Sequence, residues 1–304
     1  MLVTGAAGFI GSHLTGRLVA KGAAVRGVDD ERSGDWSRCA PQVEQTAAAL
    51  EKLSVERLQE LCDGVDVVYH LAAQKLNSPR ATPETIAEVN VLATQRLYAS
   101  ATRTGVRKMV FTSSLYAYGG LGPEAMSEAD VPRPSTHYGV SKLAGEHLLR
   151  VAERDDGLRW TVARLFFVYG PNQYAEGGYK SVIVTNFERL SRGERPIVHG
   201  DGEQALDYVY VDDCIDALVA MAAPEHDGAT YNVASGRGVS VNELTRAMLA
   251  VADSDAEPLH DAPDWTHGTR RVGTTDVAAR SLGWVATTPL DQGLGLVWEW
   301  MSSG

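Results

Sequence analysis

At 304 residues, with 44% hydrophobic and 22% charged residues, the chain has the composition of an ordinary globular protein of one large or two modest domains. A formal net charge of −11 argues against a nucleic-acid surface, and no apolar run reaches the ~18–20 residues of a membrane span. Three widely spaced cysteines, Cys39, Cys62 and Cys214, suit neither a disulfide framework nor a metal site, which points to a reducing compartment, the cytoplasm.

No leader pattern precedes the first strand, which starts so near Met1 that the natural chain has room for a few residues before it. That strand, Leu2-Val3-Thr4, breaks into Gly5-Ala6-Ala7-Gly8-Phe9-Ile10-Gly11, and Ile10, Leu14 and Leu18 then recur at steps of four. The pattern predicts strand, tight turn and helix, the context in which a glycine fingerprint carries meaning. Gly5 permits the turn, Gly8 lets backbone N–H groups approach a pyrophosphate, and Gly11 lets the helix sit close to the sheet. The helix N-terminus would face the phosphates with unpaired donors. A second strand over 24–28 ends at Asp29, eighteen residues past Gly11, and the two features together predict dinucleotide binding.

The glycine spacing is G-x-x-G-x-x-G rather than G-x-G-x-x-G, and it resembles the opening of the extended short-chain dehydrogenase/reductase family, the NAD-dependent epimerase/dehydratase group. The resemblance runs the length of the chain. It implies an α/β fold, a Rossmann-type doubly wound parallel sheet with a smaller α/β substrate domain. The NAD-binding domain would span 1–166 plus about 207–224, and the substrate domain 167–206 plus 225–304. Asp29 would accept both adenosine ribose hydroxyls and repel a 2′-phosphate, so NAD is preferred over NADP. Arg32 nearby argues weakly the other way. Phe9, Ile10 and Asp30 fall beside these residues in the implied cofactor site.

Further along, a helix is expected over 55–62 and a strand over 65–71, closing on Leu71, Ala72 and Ala73. Small residues at a strand's carboxyl end let a flat cofactor lie against backbone. In the family this His-Leu-Ala-Ala stretch lines the dinucleotide, and Gln74 and Lys75 follow it toward the substrate. Ile86, Val89, Ala93 and Leu97 mark a helix face, and Asn90 on that helix matches a family asparagine near the cofactor. Strands alternating with helices at this interval indicate parallel βαβ units. The next strand, from Lys108 to Phe111, runs into Thr112-Ser113-Ser114. A strand over 160–165 is followed by a Gly- and Tyr-bearing loop over 172–179 with the composition of a mobile lid. The tail carries a capping box, Ser240 with Glu243, and a closing Trp298-Glu299-Trp300 helix.

Tyr138-Gly139-Val140-Ser141-Lys142 puts a phenol and an ammonium on one helix face. A free phenol, pKa about 10, is a poor base at neutral pH. The Lys142 ammonium and a positive nicotinamide would favour phenolate, so that Tyr138 takes a hydroxyl proton while hydride leaves the same carbon. Ser114 aligns with the family's catalytic serine and would share that proton.

The nearest branch resembles nucleotide-sugar 4-epimerases. Nucleotide-sugar 4,6-dehydratases carry Asp-Glu where this chain has Leu115-Tyr116, and sugar-acid decarboxylases place Glu at the Tyr116 position. Without that carboxylate both reactions lose their acid/base group, and Tyr116 becomes a wall residue or a second phenol. Three family phosphate anchors are also altered: Phe167 stands for an asparagine, Leu206 for an arginine, and Thr266-His267-Gly268-Thr269 for Arg-x-Gly-Asp. Burying a diphosphate without charged donors costs several kcal/mol, so either Lys180, Arg270, Arg271, Lys75 or Arg80 replaces them or the substrate has no diphosphate. The reading is an NAD-dependent sugar epimerase, acting at C4 of a nucleotide sugar through a keto intermediate. The alternative is a net dehydrogenase or ketoreductase on a sugar-like substrate lacking a nucleotide diphosphate. In the family two helices per subunit, here about 93–104 and 140–151, make a homodimer by forming a four-helix bundle.

Overall fold

The structure, a computed structural model, describes all residues except 77, 79, 80, 120–123, 174–179, 265 and 304. Arg80 and most of the expected lid loop lie outside the described residues.

The chain begins β1 (Leu2–Thr4), α1 (Phe9–Ala20), β2 (Arg26–Asp29), β3 (Glu44–Ala47), α2 (Val55–Cys62) and β4 (Val67–His70). Next come α3 (Pro83–Ala87), a π-helical stretch (Glu88–Ala93), α4 (Thr94–Arg103), β5 (Lys108–Ser114), α5 (His137–Asp156) and β6 (Arg159–Leu165). Then follow β7 (Phe167–Tyr169), α6 (Val182–Ser191), β8 (Ile197–His199), β9 (Ala205–Tyr210), α7 (Val211–Ala220) and β10 (Ala229–Val233). The tail is β11 (Gly238–Ser240), α8 (Val241–Val251), β12 (Leu259–Asp261), β13 (Arg270–Arg271) and α9 (Leu290–Ser302).

Seven parallel strands form the main sheet in the order β10-β6-β5-β4-β1-β2-β3. The order reverses between β1 and β4, and ligands bind such sheets in the crevice beyond the carboxyl ends of the strands at that switch point. Helices cover both faces, so central strands lack polar alternation, and every residue of β1, β4 and β5 is buried. Lys108 fits inside β5 because its ammonium meets Asp227 at 2.8 Å and the Ala223 carbonyl at 2.6 Å. The helix face read from sequence is correct: Ile86, Val89, Ala93 and Leu97 are all buried, although the helix widens to π geometry around Asn90.

A smaller four-stranded sheet is centred on β9, which pairs with β11, β13 and β7, while β8 and β12 form a parallel pair. The capping box of α8 is present, with Ser240 accepting from the Glu243 amide at 3.1 Å and Glu243 from the Ser240 amide at 2.9 Å.

Two boundaries differ from the sequence division. Residues 207–210 stay in the small sheet within β9, and the chain returns to the large unit only as α7, whose Asp216 and Asp212 pair with Arg17 of α1. Residues 229–233, assigned to the smaller unit with 225–304, instead pair along β6 as the edge of the main sheet. The open edge of β6 captures a distant segment because unpaired edge groups need partners, and nothing local in the sequence marks such a pairing.

Beneath α5, Glu146 is 1% exposed and Arg164 3% exposed, with Nε and Nη2 of the arginine donating to the carboxylate at 3.0 and 2.7 Å. Ser113 donates to the same carboxylate at 2.5 Å. Removing one partner leaves the other charge buried and unpaired. Arg164→Leu is therefore expected to lower stability by about 3–5 kcal/mol in urea unfolding. A loss below ~1 kcal/mol would show that the pair is dispensable.

Candidate active site

A cavity of about 930 Å³ runs from the carboxyl ends of β1, β2 and β4 to the small sheet. Gly5 has φ +71°, and a Cβ there would lie 2.9 Å from the Ala72 nitrogen. A Cβ on Gly11 would lie 2.0 Å from the Gly5 carbonyl oxygen, so that α1 can start here only if both positions are glycine. Gly8 is the N-cap of α1 and no side chain caps the helix, which leaves its first-turn donors facing the cavity mouth.

At the end of β2, Asp29 accepts from the Ala7 amide at 3.0 Å and the Glu31 amide at 2.9 Å. Burial raises its pKa against these hydrogen bonds. A carboxylate has about four acceptor positions, so capacity remains for a ligand's hydroxyls. Arg32 pairs with Glu51 at 2.6 Å and Asp30 at 3.0 Å, so its charge is already matched and it is no open anchor for a 2′-phosphate.

Further in, the threonine N-cap of α5 orients Tyr138 and Lys142 along one face. Ser114 ends β5 with its hydroxyl near enough to the Tyr138 phenol to act on it electrostatically. Lys142 donates to the Thr112 carbonyl at 2.9 Å and stands 5.7 Å from the centroid of the Tyr138 ring. Burial is the leading influence on both groups. It pushes the Tyr138 phenol up, with Tyr116 adding to the shift and Ser114 opposing it. It pushes Lys142 down to about 7, opposed by Glu146 and assisted by Lys75. Lys142 is not among the influences on the phenol, which burial and Tyr116 raise and Ser114 opposes. Tyr138 as a whole is only partly buried, since its ring borders the wide cavity while its oxygen lies deep.

Comparison with known proteins now bears on the site. The model of the NAD-dependent epimerase/dehydratase family matches residues 1–234. The chain belongs to that family. It is 34% identical over 303 residues to a UDP-glucose 4-epimerase of Mycolicibacterium smegmatis, covering 96% of this chain and 95% of the relative. A Thermotoga maritima UDP-glucose 4-epimerase solved with UDP-glucose superposes with a TM-score of 0.93 at 32% identity, covering 99% of this chain and 98% of the other. A protein designated MoeE5, solved with UDP-glucuronic acid and NAD, gives a TM-score of 0.88 at 34% identity, covering 99% and 98%. The chain is an NAD-dependent enzyme of the extended short-chain dehydrogenase/reductase type.

The site fits NAD: a glycine cradle that a Cβ would fill, an uncapped helix N-terminus, and an acidic strand end in one cavity. The cofactor supplies a hydride acceptor and donor when bound. Gly5, Gly8, Phe9, Ile10, Gly11, Asp29, Asp30, Leu71, Ala72 and Ala73 would hold it, and all line the cavity. Gln74, Lys75, Ser114, Tyr116, Tyr138, Lys142, Phe167 and Lys180 line it too.

Asn90, Arg270 and Arg271 are not brought into the lining. Asn90 accepts from the Gln74 amide at 2.7 Å and donates to the Gln74 carbonyl and the Ser141 hydroxyl, each at 3.0 Å. It braces the wall from behind. Arg270 is exposed on β13, and Arg271 stacks over the Tyr116 ring at 5.2 Å. Tyr116 meets Tyr138 edge to face at 5.8 Å, which suits the wall reading of that residue. Lys180 is paired with Glu188 at 2.7 Å. His70, in the His-Leu-Ala-Ala stretch, is fully buried between the Thr4 and Thr94 hydroxyls at 2.7 and 2.8 Å and serves packing. Sequence reading missed Asn186, His199 and Gln204, which line the small-sheet end together with Thr266, a residue of the stretch that stands for Arg-x-Gly-Asp. They come from separate short elements, and no spacing joins them.

The Lys142 shift has a signed consequence. Its folded pKa, about 7, lies below the free-amine value of 10.5, so the unfolded chain binds the proton more tightly. Its burial cost is present in full below pH 7 and fades as pH rises toward 10.5. Lys142→Met is therefore expected to stabilise the cofactor-free protein most at pH 6.5. The gain over wild type should shrink steadily by pH 9.5 in denaturant titrations; a gain independent of pH would contradict this.

Proposed function

We propose that the chain interconverts nucleotide sugars at C4 of the hexose, most simply UDP-hexoses. One observation carries the reading: the Ser114 hydroxyl, the Tyr138 phenol and the Lys142 ammonium converge on a cavity that also contains the glycine cradle and Asp29. The relatives reported above support the substrate class.

In this reading Tyr138 would take the proton of the C4 hydroxyl as C4 gives up hydride, and would return it to the C4 oxygen as hydride re-enters at the opposite face of the turned keto sugar. Ser114 would hydrogen-bond the reacting oxygen and share its proton with Tyr138. Lys142, fixed on the Thr112 carbonyl, would hold the nicotinamide ribose and, together with the positive nicotinamide, favour the phenolate when the cofactor is bound. The apolar side chains of Phe167 and Leu206 in the lining favour the second reading, net oxidation or reduction of a sugar lacking a diphosphate. Whether NADH accumulates separates the two. The free and buried state of Cys39, Cys62 and Cys214 suits the cytoplasm.

With NAD and UDP-hexoses, NMR should show inversion at C4 without net NADH. Tyr138→Phe should lower kcat by ~10²–10⁴ while NAD affinity is retained. NADH formed in proportion to product would overturn the epimerase reading in favour of the second.

We also propose a homodimer through the α4 and α5 side of the molecule. Leu92, Val140 and Val151 are 55%, 53% and 44% exposed on this helical layer, and a cluster of large apolar groups there suits a self-complementary contact. Sedimentation at micromolar concentration should give a dimer, and Leu92→Lys combined with Val140→Glu should give a monomer. A monomeric wild type would exclude the contact.

A further inference from the structure

Beyond the carboxyl ends of β2 and β3, three carboxylates and one guanidinium line the same end of the cavity: Asp29, Asp30, Glu51 and Arg32. Asp29 closes β2 in register with Ala47 of β3, and its carbonyl accepts from the Ala48 amide at 2.8 Å. Glu51 follows β3 in a short turn, Leu50–Lys52. The loop after β2 folds back over Asp29, since the Glu31 amide donates to its carboxylate and a Cβ on Gly34 would lie 2.6 Å from Oδ1. Arg32, in the middle of that loop, is thereby placed next to the strand end that addresses the adenosine ribose.

A guanidinium in this place is the group that would accept a 2′-phosphate. Here it is turned to other partners. Arg32 Nη2 donates to Glu51 Oε1 at 2.6 Å, and Nε meets Asp30 Oδ2 at 3.0 Å. The two sides of the stronger pair are unequal: the Glu51 side chain is 4% exposed and that of Arg32 35%. Glu51 is also the anchored side. Arg96 of α4 donates to its carbonyl at 2.9 Å, and Lys52 of the same turn meets Glu88 of the π-helical stretch at 3.0 Å. A carboxylate so shielded and so fixed holds the freer guanidinium, rather than the reverse. Asp30 and Glu51 together outweigh the charge of Arg32 even where Asp29 is left out of account.

We propose that Glu51 is a positioning residue for cofactor choice. By tying Arg32 down it withholds a cation placed to reach a 2′-phosphate, and it keeps the site selective for NAD independently of Asp29. The claim needs only the dinucleotide site and stands apart from the C4-epimerase reading. Calorimetry with NAD and NADP reads the ratio of the two affinities in wild type, Asp29→Ser, Asp29→Ser with Glu51→Gln, and that double variant with Arg32→Met added. Asp29→Ser alone removes one repelling charge and should leave NAD preferred. Adding Glu51→Gln should move the ratio about 10- to 100-fold further toward NADP, the range of a hydrogen bond to a charged group, and Arg32→Met should cancel that second shift. Glu51→Leu keeps the buried position filled and carries the same expectation should Glu51→Gln fail to fold. A ratio that neither Glu51 variant moves overturns the proposal, and so do equal losses of both cofactors, which would make Glu51 a direct adenosine ligand or a packing residue. A shift that survives Arg32→Met overturns it too, because Glu51 would then act only as one more repelling charge. Reversal of the preference by Asp29→Ser alone would leave Asp29 as the sole determinant.

Discussion

The Glu146 carboxylate holds the Tyr138 end of the molecule together. It follows Lys142 by one helical turn, accepts the hydroxyl of Ser113 next to Ser114, and takes two hydrogen bonds from Arg164 on the adjacent strand. A slide of α5 along the sheet would break all three at once and leave two charges buried without partners, which is far costlier than losing an exposed pair. The same carboxylate counters the burial that drives Lys142 toward neutrality. Arg164 extends the network: its guanidinium lies 4.5 Å from the Tyr118 ring centroid, and Tyr118 donates to Asn232 of the edge strand β10 at 2.6 Å. The late strand that completes the sheet is thereby tied to the functional helix.

A second constraint acts at the other end of the cavity. The Gly5–Gly11 turn and the Leu71–Ala73 segment approach so closely that a methyl group at Gly5 would collide with the Ala72 backbone, and one at Gly11 would collide with the turn's own Gly5 and Ala6 backbone. The wall continues through Gln74, where Asn90 replaces sheet hydrogen bonds with side-chain ones just beyond the end of β4. Asn90 sits in the π-helical widening between α3 and α4, a local irregularity that faces a functional wall, as such irregularities often do. The two halves of the cavity differ in polar character: the cofactor half offers backbone donors and acids, and the substrate half combines apolar side chains with few uncompensated charges.

How much of this was legible beforehand depends on whether the relevant contacts are local. The glycine turn, Asp29 and the Tyr138–Lys142 pair could be read because each is a short-range pattern whose chemistry follows from spacing along one strand or one helix, whereas Ser114 was singled out by the family resemblance. The buried face at Ile86, Val89, Ala93 and Leu97 was legible for the same reason. The role of Asn90 was not, since a helix position specifies which face a side chain is on but not whether it meets a ligand or a neighbouring loop.

Sequence by itself determined the sheet-turn-helix opening, the parallel α/β class and the acid–base residue types, because hydrophobic period and glycine placement act within a few residues. Tertiary structure alone decided that β10 closes the main sheet, that β9 stays in the small one, and that Asn186, His199, Gln204 and Thr266 meet across the cavity. It also decided that Lys180 is neutralised by Glu188. These are contacts between distant segments, set by which edges and charges remain unsatisfied once the local elements have formed, and no window of sequence contains both partners.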